Sequence, residues 1–151
     1  MESSLVLIKP DGVQRNLIGE IIRRLEQKGL KCTACKLIHI NTKLAKAHYA
    51  IHKEKPFFDS LVKFITSGPS LAMVWEGEQA ITNIRTIMGV TDPSAAELGT
   101  IRGDLASTIG RNLVHGSDSK ENAKKEINLF FNKSEIIQYE VTMERWITES
   151  E

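Results

Sequence analysis

The stretch NLVHGSDS, residues 112–119, places a histidine where an apolar run ends and small polar residues begin. His115 follows Leu113 and Val114 and precedes Gly116, a residue that lets the backbone turn or a ligand approach closely. A histidine ring is largely neutral near neutral pH, so one of its ring nitrogens keeps a free lone pair. The setting of His115, which the other three histidines do not share, therefore predicts a nucleophile or a general base.

A carboxylate further along the chain could orient this histidine. Glu126 lies at the edge of an apolar stripe, three residues after Ala123 and four before Phe130. A partly sheltered carboxylate there can accept a hydrogen bond from Nδ1 of His115, which would leave Nε2 as the nucleophile. An edge glutamate paired with a surface lysine is the alternative, and spacing alone favours that ordinary ion pair.

Four cationic residues are candidates for an anion pocket: Lys9, Arg85, Arg102 and Arg111. The planar fork of arginine suits phosphate oxygens, although a lone arginine is usually a solvated surface charge. Neither G-x-G nor G-x-x-x-x-G-K occurs in the chain, so there is no glycine-rich phosphate loop. If the protein handles nucleotides, we expect side chains to hold the phosphates.

Two residue pairs could hold a metal ion, but both patterns are incomplete. Cys32 and Cys35 lie in a predicted strand, where residues three apart point to opposite faces, and no second cysteine pair exists. His48 and His52 have the i,i+4 spacing of a helical metal site, without an evident third ligand. We expect ordinary packing or surface positions for all four side chains.

The elements that must position these residues alternate between strands and helices. Apolar runs predict strands at 5–8, 31–40, 71–75 and 112–115, and stripes of helical spacing lie between and after them. Residues 89–112 have weak apolar periodicity and indicate a long loop, which is often functional at this length. The predicted starts of three helices are Asn16, Thr42 and Asp118, the last with Glu121 as a capping box, and Gly29 and Gly89 close two helices.

This order predicts an α/β chain of the α+β sandwich type. A ferredoxin-like, split βαβ arrangement fits best, with a four-stranded antiparallel sheet covered by helices and a long active-site loop. The length of 151 residues fits one domain over residues 1–151. Apolar residues in the segment 135–151, Trp146 among them, indicate packing that is partly against another subunit.

Composition excludes several classes of protein. Twenty Lys and Arg oppose nineteen Asp and Glu, which gives no electrostatic case for a nucleic-acid binder. The first residues do not have the pattern of a signal peptide, and no apolar run reaches the length of a membrane span. Two cysteines do not make a disulfide framework. We therefore expect a soluble cytoplasmic protein.

Six motifs in order connect these observations. LVLIKPDGVQR, PFF, SGP…AMVWEG, TDP, GTIRGD and GRNLVHGSDS occur at the right separations, and the chain resembles the nucleoside diphosphate kinase family from end to end. The resemblance implies a ping-pong transfer of the γ-phosphate from a nucleoside triphosphate to a diphosphate through phospho-His115. The substrates it implies are ATP, GTP, UDP, GDP and their deoxy forms.

The resemblance also implies a role for each site residue. Lys9 and Asn112 would reach the sugar hydroxyls, Lys9 would also approach the phosphates, and Phe57 would stack on the base. Tyr49 would lie beside the transferred group. The residues implied for the phosphates are Arg85, Thr91 and Arg102, and those implied for positioning the histidine are Ser117 and Glu126.

The resemblance further implies a metal cofactor and an assembly. Mg²⁺ would be bound mainly by the nucleotide phosphates, and Asp118 would meet it through water. The partner would be further copies of this chain, a hexamer rather than a tetramer, with no membrane or nucleic acid required. Asp92 and Leu98 stand where the family often has Asn and usually has Pro, and the missing proline predicts a looser loop.

Two other functions are compatible with such a fold. An interaction protein could keep the fold and lose turnover, but degenerate relatives usually lose the histidine or the loop arginines, which this chain has. A phosphohistidine relay to a protein acceptor would not need Phe57, Lys9 and Asn112 together.

Overall fold

The structure, a computed structural model, describes residues 1–149 as an antiparallel sheet with helices on both faces. The four strands are β1 (Glu2–Ile8), β2 (Lys31–Ile38), β3 (Ser70–Gly77) and β4 (Val114–Gly116). Their order in the sheet is β2-β3-β1-β4, and every neighbouring pair is antiparallel. This is the predicted split βαβ arrangement, because β3 lies between β1 and β2. The predicted fold class is confirmed.

Helices occupy the segments between the strands and follow the last one. They are α1 (Pro10–Gln14), α2 (Ile18–Gln27), α3 (Thr42–His48), α4 (Phe58–Ile65), α5 (Ala80–Met88), α6 (Ile101–Leu105) and α7 (Lys120–Phe130). Short 3₁₀ turns lie at Ala50–His52, Lys133–Glu135 and Glu144–Trp146. No helix of the described residues is both long and apolar enough to cross a membrane.

Each face of the sheet carries its own apolar core. Along β1, Val6 and Ile8 point into the core beneath α2 and α5, whereas Leu5 and Leu7 point into the core beneath α3, α4 and α7. All four side chains are essentially inaccessible to solvent, and each such burial contributes about 1.5–3 kcal/mol. A strand covered on both faces explains the uninterrupted apolar run in the sequence.

The pairing of the short edge strand β4 with β1 determines which face of the sheet each β4 side chain points to. His115 lies directly opposite Leu7 in the antiparallel pair, so its side chain emerges on the face covered by α3, α4 and α7. Val114, one residue earlier, points into the other core. The sheet therefore presents the histidine to α7, the helix that carries Glu126.

The helix starts differ from the sequence predictions in detail. Asn16 has a positive φ of 58° and lies before α2, whose N-cap, Leu17, makes no side-chain capping hydrogen bond. The caps of α3 and α7 are Asn41 and Ser119, each with its side chain accepting a backbone N–H, and not Thr42 or Asp118. Adjacent residues with similar capping ability cannot be separated by pattern alone.

The segment after α5 is a loop that encloses one short helix. Gly89 ends α5 with a φ of 83°, as predicted, and α6 lies within the loop. Arg24 on α2 forms an ion pair with Asp104 at 2.9 Å, and the backbone N–H of Gly99 donates to Oδ1 of Asp104. These contacts attach the middle of the loop to the body of the protein beside the exposed Leu98.

Candidate active site

His115, Glu126 and Ser117 form a connected group between β4 and α7. Nε2 of His115 lies 2.7 Å from Oε2 of Glu126, and the Ser117 hydroxyl donates to Oε1 of the same carboxylate at 2.6 Å. The Ser117 oxygen also accepts the backbone N–H of Leu5 at 3.1 Å, which fixes the hydroxyl to β1. Glu126 is therefore held by the site, and its alternative assignment to a surface lysine is wrong.

The hydrogen bond between His115 and Glu126 involves a different ring nitrogen from the one we predicted. We expected Glu126 to accept from Nδ1 of His115, but the carboxylate meets Nε2. Nδ1 lies next to Cβ and stays near the strand, whereas Nε2 is the far nitrogen and reaches across to α7. Because a carboxylate accepts the proton of Nε2–H, the free lone pair of the neutral ring is on Nδ1.

Glu126 keeps its negative charge in this setting. Burial acts to raise the pKa of Glu126, but the hydrogen bond and charge of His115, together with the Ser117 hydroxyl, hold it below its usual range. The carboxylate is thus ionised at neutral pH and remains an acceptor for the ring.

A fourth side chain, His48 on α3, adjoins the group, and the sequence did not assign it there. Its ring meets that of His115 edge-on, with centroids 4.6 Å apart, and its Nδ1 lies 3.7 Å from Oε2 of Glu126. Burial, followed by the charge of His115, lowers the pKa of His48 to about 3, so the ring is neutral. The signal available in the sequence was its position on the helix predicted to start at Thr42. His52, which has the i,i+4 spacing with His48 in the sequence, is not part of this group.

Lys9 and Asn112 join the end of β1 to the start of β4. The Lys9 ammonium donates to Oδ1 of Asn112, and Nδ2 of Asn112 donates to the carbonyl of Thr91 at 3.0 Å. Burial lowers the pKa of Lys9 to about 8, with Arg102 and Arg111 acting in the same direction against Asp11. Three predicted nucleotide-binding residues are thereby brought into one chain of hydrogen bonds.

Arg102 is a buried cation that holds the loop to β4. It is only 6% exposed and donates to the carbonyls of Val114 at 2.7 Å, Gly89 at 2.9 Å and Asn112 at 3.2 Å. Burial and the neighbouring Arg85 lower the pKa of Arg102 to about 10, which leaves it cationic at neutral pH. It is therefore not the solvated surface arginine of the alternative interpretation.

Arg85 approaches the same strand from α5. Its guanidinium donates to the carbonyl of Gly116 at 3.4 Å, and the residue is exposed. Two arginines thus lie beside the backbone that carries His115, one buried and one free to turn toward an anion.

The residue two before His115 has an unusual backbone conformation. Leu113 has a φ of 73°, a region that costs a non-glycine residue about 1–3 kcal/mol. Oδ2 of Asp11 accepts its backbone N–H at 3.1 Å, and the N–H of Lys9 donates to its carbonyl at 2.9 Å. Asp11, which appeared in the sequence analysis only within the motif LVLIKPDGVQR, therefore fixes the backbone that leads into the histidine.

Phe57 and Tyr49 differ sharply in exposure. Phe57 stands at the start of α4, is 46% exposed, and lies near the ring of His52 at 5.7 Å between centroids. Burial, with the charges of Glu126 and Asp11, raises the pKa of Tyr49 to about 12, so its phenol keeps its proton. Phe57 offers a ring face to a ligand, whereas Tyr49 packs beside His48.

The remaining candidates lie at the margins. Asp118 is exposed in the turn after β4, where Oδ1 accepts from Nδ2 of Asn122 at 2.6 Å. The Arg111 guanidinium lies 4.1 Å from the centre of the Phe64 ring, a cation–π distance. Cys32 and Cys35 are free thiols, and neither belongs to the histidine cluster.

Comparisons with known proteins agree with this geometry. A family model described as nucleoside diphosphate kinase matches residues 2–136. The chain is 54% identical over 147 residues to the nucleoside diphosphate kinase of Brevibacillus brevis, covering 97% of this chain and 100% of the relative. It is 52% identical over 149 residues to that of Carboxydothermus hydrogenoformans, covering 99% and 100%.

Solved structures give the same answer for the fold. A halophilic nucleoside diphosphate kinase from Halobacterium salinarum, in complex with CDP, superposes with a TM-score of 0.96 at 50% identity, covering 98% of this chain and 99% of that one. A nucleoside diphosphate kinase family protein from Babesia bovis superposes with a TM-score of 0.95 at 44% identity, covering 98% and 100%. The chain therefore belongs to the nucleoside diphosphate kinase family, and it is a phosphotransferase that passes the γ-phosphate of a nucleoside triphosphate to a nucleoside diphosphate through a phosphohistidine.

Proposed function

We propose that the phosphoryl group is carried on Nδ1 of His115. The observation that carries this proposal is the 2.7 Å contact of Nε2 with Glu126, which leaves the lone pair on Nδ1. In the first half-reaction Nδ1 attacks the γ-phosphorus, the bond to the leaving diphosphate oxygen breaks, and that diphosphate departs. In the second half-reaction a different diphosphate takes the group, and the lone pair returns to Nδ1.

Glu126 is the positioning residue for this chemistry. Phosphorylation of Nδ1 leaves positive charge on a ring whose Nε2–H remains in place, and the ionised carboxylate beside that N–H stabilises the charge. Ser117 holds the other carboxylate oxygen, so that the ring has one orientation throughout the cycle.

The cationic residues would neutralise the charge of the moving group. Arg85 and Arg102 lie beside the backbone of β4, and Lys9 lies at its start, which supports their assignment to the phosphates. Arg102 also keeps the loop in place, so its contribution is partly structural. Thr91 and Tyr49 would contact the phosphates from the loop and from the end of α3.

The nucleoside would bind between Phe57 and Asn112. An exposed ring face stacks on any base, which suits an enzyme that accepts ATP, GTP, UDP, GDP and their deoxy forms. Asn112 and Lys9 would meet the sugar hydroxyls. The CDP bound by the halophilic relative supports a nucleoside diphosphate as ligand here.

Mg²⁺ fits this site as an ion bound mainly by the nucleotide phosphates. The donor cluster around His115 is rich in imidazole, which Mg²⁺ does not favour, whereas the exposed carboxylate of Asp118 suits a hydrated hard ion. Asp118 would therefore hold Mg²⁺ through water. When bound, the ion would neutralise phosphate charge and orient the phosphate chain.

We also propose a cytoplasmic homo-oligomer, a hexamer rather than a tetramer. Exposed apolar side chains near the C-terminus, Ile137, Met143 and Trp146, support burial against another copy, and the hexamer is the common assembly of this family. Sedimentation velocity would measure the oligomer number. The free thiols support a reducing compartment, and the near-neutral charge supports neither a nucleic-acid nor a membrane partner.

The site is tested by labelling with ATP that carries radioactive γ-phosphate. We expect one acid-labile label per chain, recovered after alkaline hydrolysis as the Nδ1 isomer of phosphohistidine, and no label on His115→Ala. A chase with UDP or GDP should move the label to the nucleotide. Recovery of the Nε2 isomer, or labelling of His115→Ala, would overturn the assignment. Label that resists the chase would instead indicate a relay to a protein acceptor.

A further inference from the structure

The side chains of His48, His115 and Glu126 have the composition of a transition-metal site. One ligand atom each from His48, His115 and Glu126 lies within 4.8 Å of the other two. Oε2 of Glu126 is 2.7 Å from Nε2 of His115 and 3.7 Å from Nδ1 of His48. The phosphotransfer assigns no hydrogen bond or proton to His48, although that residue packs against the nucleophile.

His48 also has unused bonding capacity. Its side chain is 2% exposed, and neither ring nitrogen has a hydrogen-bond partner among the described residues. A buried polar group without a partner costs about 1–3 kcal/mol. The ring of His48 thus holds a free lone pair beside a carboxylate and a second imidazole, where it can coordinate a metal ion.

We propose that Nδ1 of His48, Nε2 of His115 and a carboxylate oxygen of Glu126 bind Zn²⁺, and that this ion inhibits the enzyme. Two imidazoles and one carboxylate are a common protein ligand set for zinc, with water in the fourth position. The inhibition rests on the proposed phosphorylation of Nδ1 of His115, whereas binding of the ion does not.

The three ligand atoms, which lie within 4.8 Å of one another, must move to bind the ion. Zinc ligand atoms lie about 2.0–2.1 Å from the metal, so two of them in a tetrahedral site are separated by about 3.3 Å. The His48–Glu126 separation of 3.7 Å is close to this value, and the His115–Glu126 hydrogen bond must open from 2.7 Å. The ion can enter past His115, whose side chain is 27% exposed.

Zinc binding would change the tautomer of His115. The metal takes the lone pair of Nε2, so the proton that Nε2 donated to Glu126 must leave that nitrogen. The neutral ring keeps its single proton by taking one from solvent at Nδ1 while Nε2 releases its own. Nδ1 then carries a hydrogen, has no lone pair, and cannot attack phosphorus.

The cation that supports the reaction would not compete for this site. Mg²⁺ prefers oxygen ligands and retains its water, whereas imidazole suits zinc and the later divalent metals. The site would therefore discriminate between a nucleotide-bound hard ion and an inhibitory ion that prefers nitrogen.

The first test measures Zn²⁺ binding directly, by titration calorimetry in the absence of nucleotide. His48→Phe keeps an aromatic ring in the buried position and removes the ligand. His39→Phe, an exposed histidine outside the cluster, is the matched control. We expect one site per chain, an affinity loss of at least about tenfold in His48→Phe, and no change in His39→Phe. Equal affinity of wild-type protein and His48→Phe would overturn the proposal.

A second measurement does not depend on a folded variant. Long-range ¹⁵N–¹H spectra of the wild-type imidazoles report which nitrogen carries the proton. Saturation with Zn²⁺ should move the His115 proton from Nε2 to Nδ1, and an unchanged tautomer would contradict the proposal. Neither readout uses activity, so failure here leaves the labelling of His115 intact. If the labelling of His115 failed instead, the zinc titration would still test whether the ion binds, because binding does not depend on phosphorylation.

Discussion

Nε2 of His115 and Oε2 of Glu126 lie 2.7 Å apart, and this contact leaves Nδ1 as the ring nitrogen without a carboxylate partner. Ser117 fixes the carboxylate from one side and His48 packs against the ring from another. The histidine therefore has a single orientation before any nucleotide binds. Preorganisation of this kind lowers the barrier because no group has to be reoriented during the transfer.

Replacement of Glu126 tests the contact itself. Glu126→Gln keeps the shape and removes the negative charge that stabilises the phosphorylated ring. We expect kcat to fall about 10²-fold, and Glu126→Ala to lower turnover without unfolding the chain. Steady-state kinetics and thermal unfolding measure the two effects. Unchanged turnover in both variants would mean that Glu126 does not position His115.

We expect Lys9 to make substrate binding depend on pH. Its pKa of about 8 means that the ammonium is charged below that pH and neutral above it. Because phosphates bind the charged form, affinity is present below pH 8 and is lost as pH rises through it. We expect KM for a nucleoside diphosphate to rise about tenfold between pH 7 and pH 9.

The control for this prediction is Lys9→Arg. A guanidinium stays charged over the whole range, so the ratio of KM at pH 9 to KM at pH 7 should approach one, whatever the absolute KM. A ratio as steep as that of the wild-type protein would assign the pH dependence to another group.

A comparison of Arg102→Ala with Arg85→Ala should distinguish effects on stability from effects on activity. Arg102→Ala removes three hydrogen bonds to buried or part-buried carbonyls, so we expect the free energy of unfolding to fall by about 3 kcal/mol or more. Arg85→Ala removes one long contact of an exposed side chain and should cost less than about 1 kcal/mol. Urea denaturation measures both values.

Activity completes the comparison of the two arginines. We expect kcat/KM to fall in both variants, because each cation is proposed to neutralise phosphate charge. Equal losses of stability in the two variants would show that Arg102 has no special structural role. Full activity of Arg85→Ala would show that Arg85 has no catalytic role.

The spacing of apolar residues was enough to predict the fold, because it shows which faces of the strands and helices are buried in the two cores. The apolar run of β1 required cover on both faces, and the stripe of α7 placed Glu126 near the core edge. Side-chain chemistry then indicated the cations and the histidine. These features depend on residues that are close together in the sequence, so they can be predicted without knowing the tertiary contacts.

Other features depend on tertiary contacts and could not be predicted from the sequence. The choice of Nε2 follows from the direction in which His115 leaves β4, and the role of Arg102 as a loop clamp follows from carbonyls of distant residues. His48 lay on the helix predicted to start at Thr42, but the sequence did not show that it would meet His115 and Glu126 across the fold. The positive φ of Leu113 has no sequence signal at all, because leucine rarely adopts it.

Phe57 provides the test of base recognition. Stacking on an aromatic ring is worth about 1–3 kcal/mol per base and depends little on which base is present. Phe57→Ala should therefore raise KM roughly 5- to 150-fold, by similar factors for purine and pyrimidine diphosphates. Because the side chain is 46% exposed, the melting temperature should barely change.

The neighbouring Phe58 supplies a matched control. It is 9% exposed and belongs to the core beneath α4, so Phe58→Ala should cost about 3–5 kcal/mol of stability. Its KM values in the folded protein, measured well below its melting temperature, should stay near those of the wild type. A KM change confined to one class of base in Phe57→Ala would indicate a specific contact in place of stacking. An unchanged KM would remove Phe57 from the nucleotide site.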